Sequence, residues 1–343
     1  MNRNQLINII SRPITATRAT YSIKDSAGNP MQCISVIELK NSEYAYAAVY
    51  HTPHKVGEDK YYYKVHLSAS NDLVSWAYQG VLVNNADMPE IKRIEGHDWI
   101  VLVHEQWKNT NAGASTNPCH VGFKLFYDDA TLLSCQHNSS WEAPLFVSDL
   151  NGTPNIYELS MHQDDSPEKY WYVKGAIGFH FWNTNSSPNR DMVGTAAVDN
   201  LFNPNPNNPP SWQPSEASDY NEQFINAGVT GNIGQRASLS LSDGRINLQE
   251  GNLGIPQDSW DKWRIFLYEY NDLIPWPSGD GEVLQVSPQT PDESTSFGNP
   301  RISLVKSPND PARQCVVISY FLFGEGVKEG SGEAGGLLYY LDL

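Results

Sequence analysis

The sequence predicts an all-β fold: a five-bladed β-propeller with four-stranded blades and a ring closed by the N-terminal strand. Three observations predict it. Only 18% of the 343 residues are charged, while Trp, Tyr and Phe number 10, 18 and 11 and Gly and Pro 25 and 22. That is the profile of many short strands joined by turns. A short opening also recurs five times, as Met31-Gln32-Cys33-Ile34-Ser35-Val36, Met88-Pro89-Glu90-Ile91, Thr153-Pro154-Asn155-Ile156, Gly234-Gln235-Arg236-Ala237-Ser238 and Gly298-Asn299-Pro300-Arg301-Ile302. Finally, a Trp precedes the last four: Trp76 by 14 positions before Glu90, Trp141 by 14 before Asn155, Trp212 by 24 before Arg236, and Trp276 by 25 before Arg301. Self-similarity of this kind marks a repeat architecture. A two-sheet jelly roll, the competing fold, does not produce five matching openings.

Each opening begins an inner strand. Second apolar runs follow at 44–50, 99–103, 171–181, 245–248 and 315–323, and third runs at 61–67, 121–127, 192–198, 263–270 and 337–341. A fourth strand follows the Trp in the first four units. The fifth unit ends without one, and 16–24 is free to supply it, which removes the exposed edges. The chain thus reads as one domain, 1–343, with blades near 31–84, 88–148, 153–225, 234–288 and 298–343 plus 16–24. In blade one a rival inner strand starts at Arg18, because Arg18 to Cys33 (15 apart) echoes Arg301 to Cys315 (14 apart). The strand at 33–40 is preferred, since it leaves four strands in every blade. Long connections are expected at 108–118, 201–220 and 324–336, where binding residues usually gather.

A net charge of −16 argues against nucleic acid and anionic membranes as partners. No apolar run reaches the roughly 18 residues that span a bilayer. The start, Met1-Asn2-Arg3-Asn4-Gln5, lacks the apolar core of a signal peptide. This fits an intracellular protein or a secreted one whose leader was removed, and the second is the expectation. Cys33, Cys119, Cys135 and Cys315 lack metal-type spacing. Buried free thiols are the first reading and a Cys119–Cys135 disulfide the second. Sequons at Asn138, Asn151 and Asn185 are no more than chance supplies. No cofactor is expected, and no ligand cluster demands a metal, a channel calcium included.

In a propeller the inner strands start, and the second strands end, at one mouth of the central channel. The first set is Gln32/Cys33, Glu90, Asn155, Arg236 and Arg301. The second is His51, Glu105, His180/Trp182, Gln249/Glu250 and Tyr320. Arg236 and Arg301, on adjacent blades, suit bidentate capture of one anion, or else they pair with Glu90 or Glu250. Glycoside cleavage needs two carboxyls, one protonated and one ionised. Glu90, Glu105, Glu250 and Asp191 are the acids that topology brings toward the mouth, with Glu90 first. His180 orients a carboxylate or lies near a sugar, and Trp107, Tyr157, Trp182 and Tyr320 are rings for stacking. There is no Walker loop, dinucleotide fingerprint, zincin helix or nucleophile elbow.

At Ser68-Ala69-Ser70-Asn71-Asp72-Leu73-Val74-Ser75-Trp76 and Met88-Pro89-Glu90-Ile91 the chain resembles the five-bladed propeller glycosidases of families 43, 62 and 32. Residues 237–245 resemble hairpins of sialidase-type propellers. The first resemblance implies catalytic acids at inner-strand starts. The second implies arginines that clamp a substrate carboxylate. This chain departs in having one acid, Glu90, among its five inner-strand starts. The function expected is therefore a glycoside hydrolase-like enzyme acting on a sugar, one bearing a carboxylate included. Glu90 is its acid or base, Glu105 or Glu250 the partner, Arg236 and Arg301 the anion site, and Asn155 a hydroxyl ligand, with His180, Trp182 and Tyr320 lining the site. The alternatives are a non-catalytic sugar-binding propeller (a lectin) and a cyclase or lyase of specialised metabolism. A monomer that binds a carbohydrate or small anion is expected.

Overall fold

The computed structural model describes residues 3–55, 61–107, 119–148, 150–241, 244–255, 259–270 and 281–343. Helix α1 (Arg3–Ser11) and strand β1 (Arg18–Thr20) precede the first blade. Blade one is β2 (Gln32–Glu38), β3 (Tyr46–Lys55), β4 (Tyr61–Ser70) and β5 (Ala77–Asn84). Blade two is β6 (Ala86–Arg93), β7 (Ile100–Trp107), β8 (Cys119–Phe126) and β9 (Ser139–Glu142), with helix α2 (Asp129–Leu133) before β9. Blade three is β10 (Asn151–Gln163), β11 (Trp171–Asn183), β12 (Arg190–Leu201) and β13 (Ser211–Glu216), followed by helix α3 (Ser218–Asn226). Blade four is β14 (Ile233–Leu241), β15 (Gly244–Asn252), β16 (Trp263–Tyr270) and β17 (Glu282–Val286). Blade five is β18 (Phe297–Lys306), β19 (Gln314–Leu322) and β20 (Gly335–Asp342), completed by β1, whose Arg18, Ala19 and Thr20 pair with Tyr340, Tyr339 and Leu338. Each inner strand packs beside the next, and β18 returns to β2. The result is a five-bladed propeller closed by its N-terminal strand. No described helix is long and apolar enough to cross a membrane.

The recurring opening is a β-bulge. The register shifts between Gln32 and Ser35, Asp87 and Glu90, Gly152 and Asn155, Ile233 and Arg236, and Gly298 and Arg301. In four blades a non-glycine residue there has positive φ: Cys33 54°, Met88 46°, Thr153 48° and Asn299 48°. A bulge leaves a residue out of the ladder, so the next position tolerates proline, and Pro89, Pro154 and Pro300 occupy it. The bulge also places Ser35, rather than Gln32 or Cys33, level with Glu90, Asn155, Arg236 and Arg301.

The core lies between blades. Val101, Val103, Val121 and Phe123 of blade two meet Ile156, Ile177 and Phe179 of blade three, all buried. Each such side chain contributes roughly 1.5–3 kcal/mol. The turn before Trp76 is built by its polar residues. Ser70 Oγ accepts from the N–H groups of Asp72 and Leu73, and Asp72 Oδ1 from those of Val74 and Ser75, which delivers Trp76 to the core at 3% exposure.

Several expectations need correction. Residues 201–220 are not one loop, because β13 and the start of α3 lie within them. Trp141 and Trp212 sit inside the fourth strands rather than ahead of them. The rival strand at Arg18 is the outer strand of blade five. The four cysteines are free thiols, as first expected, so the alternative Cys119–Cys135 disulfide is not formed, and Cys135 is only partly buried. The expected loop at 108–118, Trp276, and Ser242-Asp243 of the hairpin resemblance lie outside the described residues.

Candidate active site

The bulges determine what reaches the mouth. Each bulge leaves an N–H without a ladder partner, and in three blades a second-strand side chain of the preceding blade accepts it. Met88 N–H donates to His51 Nδ1 (3.0 Å), Thr153 N–H to Glu105 Oε2 (2.6 Å), and Asn299 N–H to Glu250 Oε2. Glu250 Oε1 accepts from Gln235 N–H (2.5 Å), so both its oxygens hold backbone. Burial pushes its carboxyl up to about 7 despite those donors. Burial, then Arg301, holds His51 neutral, its imidazole lowered to about 3.

Below this ring of latches the channel is plugged. Arg301, 2% exposed, reaches from blade five across the axis. Its Nη1 donates to Arg236 O (2.7 Å) and Glu90 Oε2 (3.2 Å), its Nη2 to Pro89 O (2.8 Å), and its Nε to Pro89 O (3.1 Å). Glu90 also pairs through Oε1 with Lys92 Nζ (3.2 Å) and accepts Ile156 N–H at Oε2 (3.2 Å). Arg236 donates from Nε to Tyr157 OH (2.9 Å) and from Nη2 to Gly194 O (3.2 Å), while Nη1 has no partner among the described residues. Asn155 Nδ2 donates to Ser238 Oγ (3.1 Å), and Asn155 Oδ1 has no partner there either. The two arginines do not form a joint clamp. Arg301 is committed to Glu90 and to carbonyls from blades two and four.

At the mouth two acids face each other. Asp87 and Glu105 are direct cross-strand partners on β6 and β7, a placement that sets Cβ atoms roughly 4.5–5.5 Å apart. They are 5% and 6% exposed. Trp107 Nε1 donates to Asp87 Oδ1 (3.1 Å). Gly152 lies against Glu105, where a Cβ would overlap Oε2. Burial raises the Asp87 carboxyl to about 7. Burial, and then the Asp87 charge, holds Glu105 well above the usual range. Two close carboxyls cannot both ionise cheaply, so the pair as a unit retains a proton near neutrality. Asp191, at the start of β12, is raised to about 7 by burial and then by Glu105. It also acts on Glu250.

Of the remaining candidates, His180 is buried, with Nε2 unpartnered among the described residues and its imidazole held well below the usual range by burial and then by Arg236. Trp182 pairs in register with Asp191 and lines a rim cleft of 420 Å³ with Phe181, Asn183 and Glu216. Tyr320 is away from the mouth. Phe321, opposite Gly298, holds the position matching His51 and Glu105, and strand alternation turns Tyr320 to the other face. There its hydroxyl donates to Ile10 O of α1 (3.0 Å). Sequence reasoning missed Asp87. The only signal was its place directly before Met88-Pro89, and a bulge was needed to see that this position also faces the mouth. Among the described residues no cluster of His, Cys, Asp and Glu could hold a metal.

No protein-family model matches the sequence, and no curated protein matches it significantly. Solved structures do match in fold. A protein titled "Glycoside hydrolase" superposes with a TM-score of 0.58 at 12% identity, over 99% of this chain and 95% of its own. An exo-1,5-alpha-L-arabinanase from a bovine ruminal metagenomic library gives 0.52 at 11%, over 93% and 95%. A thermostable family-43 glycoside hydrolase gives 0.51 at 11%, over 94% and 92%. At these identities the likeness is one of architecture: the chain has the five-bladed propeller fold that these glycoside hydrolases share.

Proposed function

We propose that the chain is a glycoside hydrolase-like enzyme whose site is the channel mouth and whose acid pair is Asp87 and Glu105. The cross-strand pairing of these two buried carboxyls carries the reading. Glu105, protonated, gives its proton to the departing glycosidic oxygen as the C–O bond breaks, and Asp87, ionised, either takes a proton from the water that attacks the anomeric carbon or attacks that carbon itself, water then releasing the sugar. Thr153 N–H and the Trp107 indole fix the two groups in place, and Asp191 supports the proton on Glu105. The sugar is neutral in this reading. Asp87, Asp191 and Glu250 line the mouth, Arg301 is committed elsewhere, and a carboxylate-bearing sugar would meet repulsion. The fold shared with an arabinanase and a family-43 hydrolase supports the substrate class without identifying the sugar.

The test is hydrolysis of a panel of neutral aryl pentosides and hexosides, with aryl uronides beside them. Turnover of a neutral glycoside that Glu105→Gln abolishes supports the reading. Cleavage of uronides alone, or binding without turnover of any member, rejects it.

A further inference from the structure

The rim between blades four and five carries a stack of three aromatic rings. Trp260 lies 5.2 Å from Phe323 and 6.4 Å from Trp263, centroid to centroid, at interplanar angles of 32° and 22°. Trp263 and Phe323 are 6.1 Å apart at 28°. Trp263 is buried, whereas Trp260 is 45% exposed. The rings sit on the connections that follow β15 and β19, hence on the mouth side. There the 3-10 turns Trp260–Lys262 and Gly324–Gly326 pack together, and Ser296 Oγ holds Trp260 O.

Scattered exposed hydrophobics are ordinary. Trp260 differs in being packed against two other rings, stacked on Trp263 and tilted against Phe323, so its half-exposed indole costs little ordering when a ligand lands on it. Polar groups flank it: Asp261 and Lys262, ion-paired at 2.8 Å, are both partly exposed. The stack also runs into the acid ring. A Cβ placed on Gly298 would lie 2.6 Å from both Glu250 Oε2 and Phe323 Cε2, so ring and carboxylate are neighbours across one glycine.

We propose that Trp260, backed by Trp263 and Phe323, is a stacking subsite for one ring of a neutral oligosaccharide whose cleaved bond lies at the mouth. A sugar presents an apolar C–H face to the indole and hydroxyls to Asp261 and Lys262, which matches the platform and its rim. The substrate is then a chain of sugars rather than a simple glycoside. The inference deepens the glycosidase reading of the mouth and rests on it.

The test is calorimetric binding of arabinohexaose, xylohexaose and their disaccharides to the full chain carrying Glu105→Gln, together with chain-length dependence of turnover by the wild type. Adding Trp260→Ala is expected to weaken binding of one hexasaccharide about tenfold, with Trp260→Phe between. Disaccharide binding stays unchanged, and Trp171→Ala on the opposite face has no effect. The proposal is overturned if neither hexasaccharide binds, if Trp260→Ala binds it as well as the parent does, or if its only effect is to split a dimer. Hydrolysis without a Trp260-dependent preference for length sinks the subsite alone. Trp260-dependent binding without hydrolysis sinks the enzyme reading and leaves the subsite standing.

Discussion

Arg301 Nη1 donates to Glu90 Oε2 at 3.2 Å, so the acid that the sequence ranks first and one of the two arginines it offers are partners in one buried ion pair. Five more bonds from Arg301, to Pro89 O (twice), Met88 O, Arg236 O and Pro154 O, make it a brace across the channel. Breaking a buried pair from one side leaves a charge uncompensated. Arg301→Met is therefore expected to cost about 3–5 kcal/mol, read by urea unfolding. Glu90→Gln together with Arg301→Met should cost less than the two single changes added. Full additivity would mean that the pair does not couple the blades.

The acid pair has a stability signature. Asp87 titrates near 7 in the fold against about 4 in the unfolded chain. Its folded value is raised, so its contribution is fully present below about 4 and is lost as pH rises through 7. Buried His66 and His104, lowered to about 4 and about 3, have the opposite sign. Their contributions are present above about 6.5 and lost as pH falls through the folded values. The wild-type profile is thus a balance, and the difference made by Asp87→Asn reads the Asp87–Glu105 pair against that background. The variant's Tm should exceed that of the wild type at pH 8 and match it at pH 4, by differential scanning fluorimetry.

The same substitution should move the activity profile. The Asp87 charge helps hold the Glu105 carboxyl up, so Asp87→Asn brings it down. The residual activity of that variant should lose its alkaline limb at a lower pH than the wild type does. An unmoved limb would mean that the two carboxyls do not share a proton.

Gly152 tests the seat of Glu105. Gly152→Ala puts a Cβ into Glu105 Oε2 and should push that carboxylate off Thr153 N–H, costing about 1–3 kcal/mol and most of the activity. Gly122→Ala, which meets His104 instead, should cost similar stability while retaining activity. Equal retention in both variants would remove Glu105 from the chemistry.

Tyr320→Phe should leave sugar binding untouched and lose about 0.5–1.5 kcal/mol, since Tyr339 OH still donates to Ile10 O at 2.9 Å. A selective loss of ligand affinity in calorimetry would return Tyr320 to the site.

The sequence carried the blades because the bulge is written in it. Met88-Pro89-Glu90, Thr153-Pro154-Asn155 and Asn299-Pro300-Arg301 look alike since one backbone irregularity makes one set of demands. Site residues were less legible for the same reason. A bulge adds a residue to one strand only, so counting from the opening finds Glu90 and passes over Asp87, one bulge earlier and facing the mouth. Strand parity misplaced Tyr320 by one residue, which in a period-2 element is the opposite face. Helix α1 escaped notice because its apolar positions, Leu6, Ile7, Ile9 and Ile10, number only four and pack against blades far along the chain.

The central claim is that chemistry resides in Asp87 and Glu105 while Glu90 and Arg301 hold the ring. It is tested most directly by initial rates on the best neutral aryl glycoside for Asp87→Asn, Glu105→Gln and Glu90→Gln, each checked for folding by circular dichroism. The first two should lose about 10²–10⁴ in kcat while keeping the fold. Glu90→Gln should lower Tm yet retain most of kcat. Loss of activity in a well-folded Glu90→Gln, with Asp87→Asn and Glu105→Gln still active, would contradict the account.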